Sequence, residues 1–186
     1  MNTPRSIAVV GVTVAALGLG VSGATAETPK RDAPRTVDVT GTARVFVGAY
    51  PDDDVRITFD AHATYKTWGP DATPASTRGK VRMTHHFTAQ NATLWYEAKV
   101  DCAVAGGSVA TVTAVITAAA TPIKDWVGKR MAFTVLDNGR RDQVGNSSPH
   151  DDVPTCLGGT RKGAPAPFNL ITHGDFKVRH NLPPIQ

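Results

Sequence analysis

The feature of this sequence that most constrains its fold is an alternation of apolar and polar residues with a period of two. In the longest run, residues 55–65, Val, Ile, Phe, Ala, Ala and Tyr occupy the odd positions, and polar residues occupy the even positions. Because successive side chains of a strand point to opposite faces, this pattern predicts a long strand with one face in a core and one in water.

The same alternation recurs along the chain and predicts an all-β protein. Strands are expected at residues 37–47, 55–65, 79–87, 94–104, 109–117, 131–135, 168–172 and 176–178, with a loop over residues 140–167. Gly106-Gly107 and Asp137-Asn138-Gly139 favour tight turns. The pattern predicts about eight mostly antiparallel strands forming a barrel, because the strands are long and meander in sequence; a two-sheet sandwich is the alternative. Residues 36–178 are expected to form a single β-domain, and residues 179–186 a tail.

The amino-terminal segment predicts export. Arg5 precedes an uncharged stretch over residues 7–19, and the small residues Ala-Thr-Ala follow at positions 24–26. This order is typical of a signal peptide over residues 1–26, cleaved after Ala26. The apolar stretch is shorter than the about 20 residues of a membrane-spanning helix, so no transmembrane segment is expected after cleavage. Residues 27–35 are expected to form a flexible lead that precedes the folded domain, and the mature protein is expected to be secreted.

The charge balance does not indicate a nucleic-acid partner. The chain has 20 Lys and Arg and 16 Asp and Glu, and the predicted signal holds one Arg and no acid, so the mature charge is 19 − 16 = +3. The charges are mixed along the chain and do not form the basic stripe of a nucleic-acid-binding protein. We therefore predict no nucleic-acid partner, and no cofactor.

The two cysteines, Cys102 and Cys156, predict one disulfide. An even number of cysteines in an exported chain is typical of disulfide bonding. A metal-binding pair would show a much shorter spacing.

The histidines suggest one candidate metal site. Asp60 and His62 point the same way from one strand, and His86 shares their face if the second and third strands pair as a hairpin. Imidazole and carboxylate groups so placed would suit Zn²⁺ or Cu²⁺. The alternative interpretation is an ordinary polar outer face.

The carboxylates of the predicted turns suggest a second candidate metal site. Asp137, Asn138 and Asp142 offer oxygen ligands of the kind that Ca²⁺ prefers. The alternative is that Asp, Asn and Gly are simply the residues from which turns are made.

The tryptophans Trp68, Trp95 and Trp126 are candidates for stacking on a carbohydrate or cell-wall ligand. Trp95 is out of phase with its apolar neighbours and should face outward. It would then be an exposed aromatic residue, or it would be covered by the loop that contains Cys156.

Three groups of residues resemble a known group of proteins. They are Gly79-Lys80-Val81 with His85-His86-Phe87; Asp101-Cys102 with Gly106-Gly107, Val109-Ala110 and Val115-Ile116-Thr117; and Val127-Gly128-Lys129-Arg130 with Phe133-Thr134-Val135, Asp137, Gly139, Asp142, Pro154 and Cys156. Over about residues 41–178 they resemble small secreted actinobacterial proteins labelled "repetin-like". The resemblance implies a secreted β-domain with one disulfide, and it implies no activity.

These observations predict a binding module rather than an enzyme. The Gly-x-Ser-x-Gly and His-Glu-x-x-His motifs are missing from the sequence. The inferred inner face is rich in Ala, Val and Thr, so a barrel lined in this way would leave room for a ligand. We expect an interaction module for a small apolar or cell-envelope ligand; a metal-binding exported protein is the alternative, and an unrecognised hydrolase is the second.

Overall fold

The fold is a closed antiparallel β-barrel in which each strand pairs with the next and the last pairs with the first. The computed structural model describes residues 34–69, 72–157 and 166–183. The strands are β1 (Arg35–Val45), β2 (Asp54–Tyr65), β3 (Ser76–Phe87), β4 (Ala92–Gly106), β5 (Val109–Ala119), β6 (Arg130–Leu136), β7 (Gln143–Asn146) and β8 (Asn169–His180). Three 3-10 helices, Thr121–Trp126, Gly139–Arg141 and Thr155–Leu157, lie in the connections. The predicted all-β barrel is confirmed.

The number of strands agrees with the prediction, but the positions of β7 and β8 differ from the predicted ones. Strand β7 lies inside the predicted loop 140–167, and it has only four residues, of which Val144 is a buried apolar one, so no alternation is visible. The two predicted closing strands form one, β8, in which Gly174 has a φ of +89°. The register between β1 and β8 also shifts at Arg44/Val45.

The ordered structure extends beyond the predicted domain at both ends. Strand β1 begins at Arg35, and β8 continues to His180. The Asn181 side chain then accepts the N–H of Thr36 at 2.5 Å and donates to the carbonyl of Pro34 at 2.8 Å. The predicted signal peptide and residues 27–33 of the predicted lead lie outside the described residues. Within the described ranges, no helix is long and apolar enough to cross a membrane.

The centre of the barrel is filled by aromatic rings. Phe59 contacts Phe133 and Phe176 edge-on, with centroids 5.4 and 5.3 Å apart, and none of the three is more than 2% exposed. These rings occupy the interior that the small residues of the sequence suggested as a cavity. Concave surface for a ligand must therefore be sought at the ends and on the outside of the barrel.

One disulfide joins Cys102 on β4 to Cys156, with 5.2 Å between their Cα atoms, and confirms the prediction. Beneath it, buried Thr113 donates to Asp101, whose other oxygen accepts Arg130 Nε at 2.7 Å. The bridge therefore fixes the β7–β8 connection to the outside of β4 and β5.

The weakest part of the ring is the junction of β7 and β8, which we call the seam. These strands share only the pairs Gln143–Leu170 and Val144–Asn169. The rest of β8 extends past the end of this short ladder, and side chains of the β6–β7 turn accept hydrogen bonds from its backbone.

Candidate ligand-binding groove

The predicted histidine site is divided between the two ends of the β2–β3 hairpin. The register places His86 opposite Asp54, eight positions (62 − 54) from His62 along β2. At about 3.3 Å per residue this separation is about 26 Å. His86 instead contacts the hydroxyl of Thr93, with Nδ1 and Oγ1 3.0 Å apart. The structure brings Asp60 and His62 together and separates both from His86.

Carboxylates contact both ring nitrogens of His62. Nδ1 contacts Asp38, and Nε2 lies 2.9 Å from Oδ1 of Asp60. An ionised carboxylate only accepts hydrogen bonds, so both contacts are satisfied when each ring nitrogen carries a proton. A metal ion would need one of these nitrogens without its proton. Within the described part of the chain, no three His, Cys, Asp or Glu side chains are arranged to hold a metal.

The three predicted calcium ligands lie close together, but backbone N–H groups already donate hydrogen bonds to the carboxylate oxygens of the two aspartates. Asp142 is completely buried; its Oδ1 accepts the N–H of Asn138 at 2.8 Å, and its Oδ2 accepts the N–H of Phe176 at 2.8 Å. Asp137 accepts the N–H of Val178 at 3.0 Å. Two carboxylates thus replace the missing β7 ladder along β8 and close the seam.

A second carboxylate–histidine pair anchors the β1–β2 turn. His85 Nε2 lies 2.7 Å from Oδ2 of Asp53, and the N–H of Thr88 donates to Oδ1 at 3.0 Å. The contact with His85 and then that with Thr88 lower the pKa of Asp53 below its ordinary value of 3.8. Phe87 stacks on the imidazole at 3.8 Å, and Tyr50 meets it edge-on at 5.4 Å. The sequence pattern did not predict these partners of His85.

Trp95 lies on the outer face, as predicted, and is half-buried. The guanidinium carbon of Arg82 lies 5.9 Å from the centroid of its ring, within the range of a cation–π contact. Cys102 is seven positions (102 − 95) further along the same strand, and residues 158–165 of the Cys156 loop lie outside the described residues. Among the described residues, the side chain of Arg82 therefore lies over part of this ring.

Trp68 follows β2 at the end of the barrel where β4 turns into β5. Its indole N–H donates to the carbonyl of Pro183 at 2.8 Å, and its ring meets that of Tyr65 edge-on with centroids 5.4 Å apart. Burial raises the pKa of Tyr65 to about 12. Its hydroxyl therefore stays protonated and donates to the carbonyl of Ala103 at 2.7 Å. These contacts fix the position of the indole ring.

Two adjoining concavities meet at this ring, and together we call them the Trp68 groove. The first has a volume of about 340 Å³ and is lined by Trp68, Val104, Ala105, Gly106, Val109 and Thr111. The second, of about 400 Å³, shares Trp68, Ala105 and Gly106 with the first and adds Gly107, His180, Leu182 and Pro183. Small-molecule sites typically have volumes of about 300–1,000 Å³.

The polar side-chain nitrogens around the Trp68 groove are already hydrogen-bonded. His180 Nε2 lies 3.1 Å from the carbonyl of Gly107, and its Nδ1 accepts the N–H of Leu182 at 3.3 Å. These two contacts fit the imidazole tautomer that donates from Nε2 and accepts at Nδ1. With the indole N–H of Trp68 also bonded, the groove presents mainly apolar atoms to a ligand.

Gly106 provides a position where the groove can be altered without disturbing the barrel. A Cβ atom added there meets nothing within 4 Å. Gly106 is also not among the glycines with positive φ. A larger side chain at this position is therefore compatible with the backbone and adds atoms at the groove.

No protein-family model, curated protein or solved structure matches this chain. The resemblance to "repetin-like" proteins stays a prediction. The sequence indicated Trp68 as a stacking candidate, but its hydrogen-bond partner Pro183 is 115 positions away along the chain. No local pattern reports such a contact, so the groove was not predicted.

Proposed function

We propose that this protein is a secreted binding module that holds a small apolar ligand of the acyl-chain class in the Trp68 groove. The observation that supports it is the meeting of two concavities, of about 340 and about 400 Å³, at one indole ring. Two lobes that share three lining residues suit an elongated ligand that extends through both. Each Å² of apolar ligand surface buried there contributes about 25 cal/mol.

The proposal places the ligand at the end of the barrel. The interior was the expected location, but Phe59, Phe133 and Phe176 fill its centre. The groove keeps the apolar character that was expected of the interior and adds an aromatic ring, which offers a large rigid contact area.

Binding without catalysis is part of the proposal. His180 is the titratable side chain among the described residues that line the groove, and both of its nitrogens are hydrogen-bonded within the protein. A general acid or base must be able to reach a proton of the substrate. The lining is therefore better suited to retaining an apolar molecule than to transforming it.

We also place this activity outside the cytoplasm. The Cys102–Cys156 disulfide supports that location, since such bonds persist in oxidising compartments. The predicted signal peptide, cleaved after Ala26, supports it as well.

The first test uses N-phenyl-1-naphthylamine, a neutral apolar fluorophore, and the mature chain beginning at Glu27. We expect saturable binding at one site per chain, and displacement by a long-chain alcohol. Gly106→Leu should weaken binding at least about tenfold, equivalent to about 1.4 kcal/mol, because the new side chain competes for the groove. Trp68→Ala should weaken it as well.

The matched control is Gly48→Leu. A Cβ at Gly48 also meets nothing within 4 Å, but this exposed glycine lies in the β1–β2 turn. Thermal unfolding of both leucine variants verifies that they are folded. Equal affinities of Gly106→Leu and Gly48→Leu, or binding that never saturates, would refute the proposal.

A further inference from the structure

A second concavity, of different chemistry, lies at the seam. It has a volume of about 460 Å³ and is lined by Asn138, Arg140, Arg141, Gln143, Leu170 and Ile171. We call it the seam cavity. It shares no lining residue with the Trp68 groove and combines two guanidinium groups and two amides with two aliphatic side chains.

The two guanidinium groups are available for a ligand. Arg140 and Arg141 lie in the 3-10 turn Gly139–Arg141 and are both exposed. Among the described residues, neither has a carboxylate within 4.0 Å. Arg44 and Arg56, by contrast, share the carboxylate of Asp54.

The carboxylates nearest in sequence are engaged elsewhere. Both oxygens of buried Asp142 accept backbone N–H groups. Asp137 accepts the N–H of Val178 with one oxygen, and the other lies 3.9 Å from Nζ of Lys177. Because these acids hold β8 in place, they do not form ion pairs with Arg140 and Arg141, whose positive charge remains at the cavity.

The lining matches a phosphate group attached to an apolar chain. Each guanidinium presents five N–H donors in a planar fork that fits phosphate oxygens in pairs. The amides of Asn138 and Gln143 add donors. Beside them Leu170 is 48% exposed, and Ile171 packs against the core. We infer that the seam cavity binds the phosphate group of an organophosphate whose adjoining carbon atoms pack against Leu170.

This site goes beyond the proposed function and is tested separately from it. Butyl phosphate is titrated into ¹⁵N-labelled mature protein, and amide chemical shifts are followed. We expect saturable shifts at Asn138, Gln143 and Leu170, and none at Gly106 or Gly107 of the Trp68 groove. Inorganic phosphate should bind several-fold more weakly, and butanol should produce no saturable shift at these amides.

Variants test separately the guanidinium groups and the apolar contact of the seam cavity. Arg140→Gln with Arg141→Gln should weaken butyl phosphate binding at least about tenfold. The matched control is Lys99→Gln with Arg179→Gln, which removes the same net charge from two exposed residues of β4 and β8 and should leave affinity nearly unchanged. Leu170→Asn should reduce the affinity for butyl phosphate to that for inorganic phosphate.

Soluble phosphate esters and envelope lipids both carry a phosphate group attached to carbon. Binding to lipid vesicles distinguishes these two sources of the ligand. Co-sedimentation with phosphatidylcholine vesicles that contain phosphatidic acid, but not with phosphatidylcholine alone, assigns a lipid source. Butyl phosphate binding without co-sedimentation assigns a soluble one. Equal losses in the two double variants, or butanol binding as well as butyl phosphate, would overturn the inference.

Discussion

Replacing Asp142 with alanine removes the two acceptors that connect the β6–β7 turn to β8. The Phe176 amide that donates to Oδ2 belongs to a residue with 0% exposure, so the variant leaves its N–H without a partner and out of reach of water. The Asn138 amide that donates to Oδ1 belongs to an exposed residue, so water can replace the lost acceptor. The loss should therefore come mainly from the contact with Phe176.

The size of the stability loss follows from the two hydrogen bonds that Asp142→Ala removes. A hydrogen bond to a charged group contributes about 1.5–3 kcal/mol, and an unpaired buried donor costs about 1–3 kcal/mol. Removing the carboxylate also relieves the cost of burying its charge, which offsets part of the loss. For Asp142→Ala we expect the free energy of unfolding to fall by about 3 kcal/mol. In a domain of this size that corresponds to a decrease of about 6–12 °C in Tm.

The assay is equilibrium unfolding in urea, followed by tryptophan fluorescence with the disulfide intact. Asp125→Ala is the matched control, since Asp125 is an exposed residue of the 3-10 helix Thr121–Trp126, far in sequence from β8, and it should change stability little. Native-state hydrogen exchange should show the amide of Phe176 losing protection in Asp142→Ala. A loss below about 1 kcal/mol, or one equal to that of the control, would refute the role of Asp142 in closing the seam.

Three further changes test other contacts. Because the contact with His85 holds the pKa of Asp53 below 3.8, this pair stabilises the fold above that pH, and the contribution disappears as the pH falls through the lowered pKa. Wild-type stability should therefore decline more steeply than that of Asp53→Asn as the pH falls below about 4. Replacing Cys102 and Cys156 with serine opens a loop of sequence separation 54 and should cost about 4 kcal/mol in urea unfolding. Gly41→Ala places a Cβ 2.2 Å from a carbonyl oxygen of β8 at a φ of +128°, so it should lower Tm strongly.

Each of these changes has a control. Asp52→Asn removes an exposed carboxylate from the same turn and should keep the wild-type pH profile. Reducing the wild-type disulfide should reproduce the loss of the double serine variant. Gly48→Ala adds a Cβ in open space and should leave Tm nearly unchanged. The reasoning fails if Asp52→Asn loses stability at low pH as Asp53→Asn does, if Gly48→Ala lowers Tm as much as Gly41→Ala, or if the reduced wild type is as stable as the oxidised protein.

Much of the fold could be predicted because it is encoded locally. The odd positions of residues 55–65 predicted the core face of β2, and each of them is buried. Strand β7 could not be found in this way, because Gln143–Asn146 contains too few residues to show a period. Strand β8 was divided in two because Gly174 and the register shift near Arg44 interrupt the alternation that a regular strand would show.

The sites were less accessible to sequence reasoning because they depend on register and on distant contacts. The alternation pattern places three residues on one face of the β2–β3 hairpin: Asp60, His62 and His86. Only the register shows that His86 lies opposite Asp54. Asp137 and Asp142 were recognised as carboxylates in a turn. Their role as acceptors for the amides of β8 depends on a strand more than thirty positions away.

The central claim, an apolar ligand in the Trp68 groove, is tested most directly by native mass spectrometry of the untagged protein from culture supernatant. The wild type should carry a lipid-sized adduct on a chain that begins at Glu27 and is two hydrogens lighter than the reduced form. Gly106→Leu should lose the adduct, and Gly48→Leu should keep it. A bare wild-type mass, a metal ion in place of the adduct, or an adduct that persists in Gly106→Leu would contradict the account.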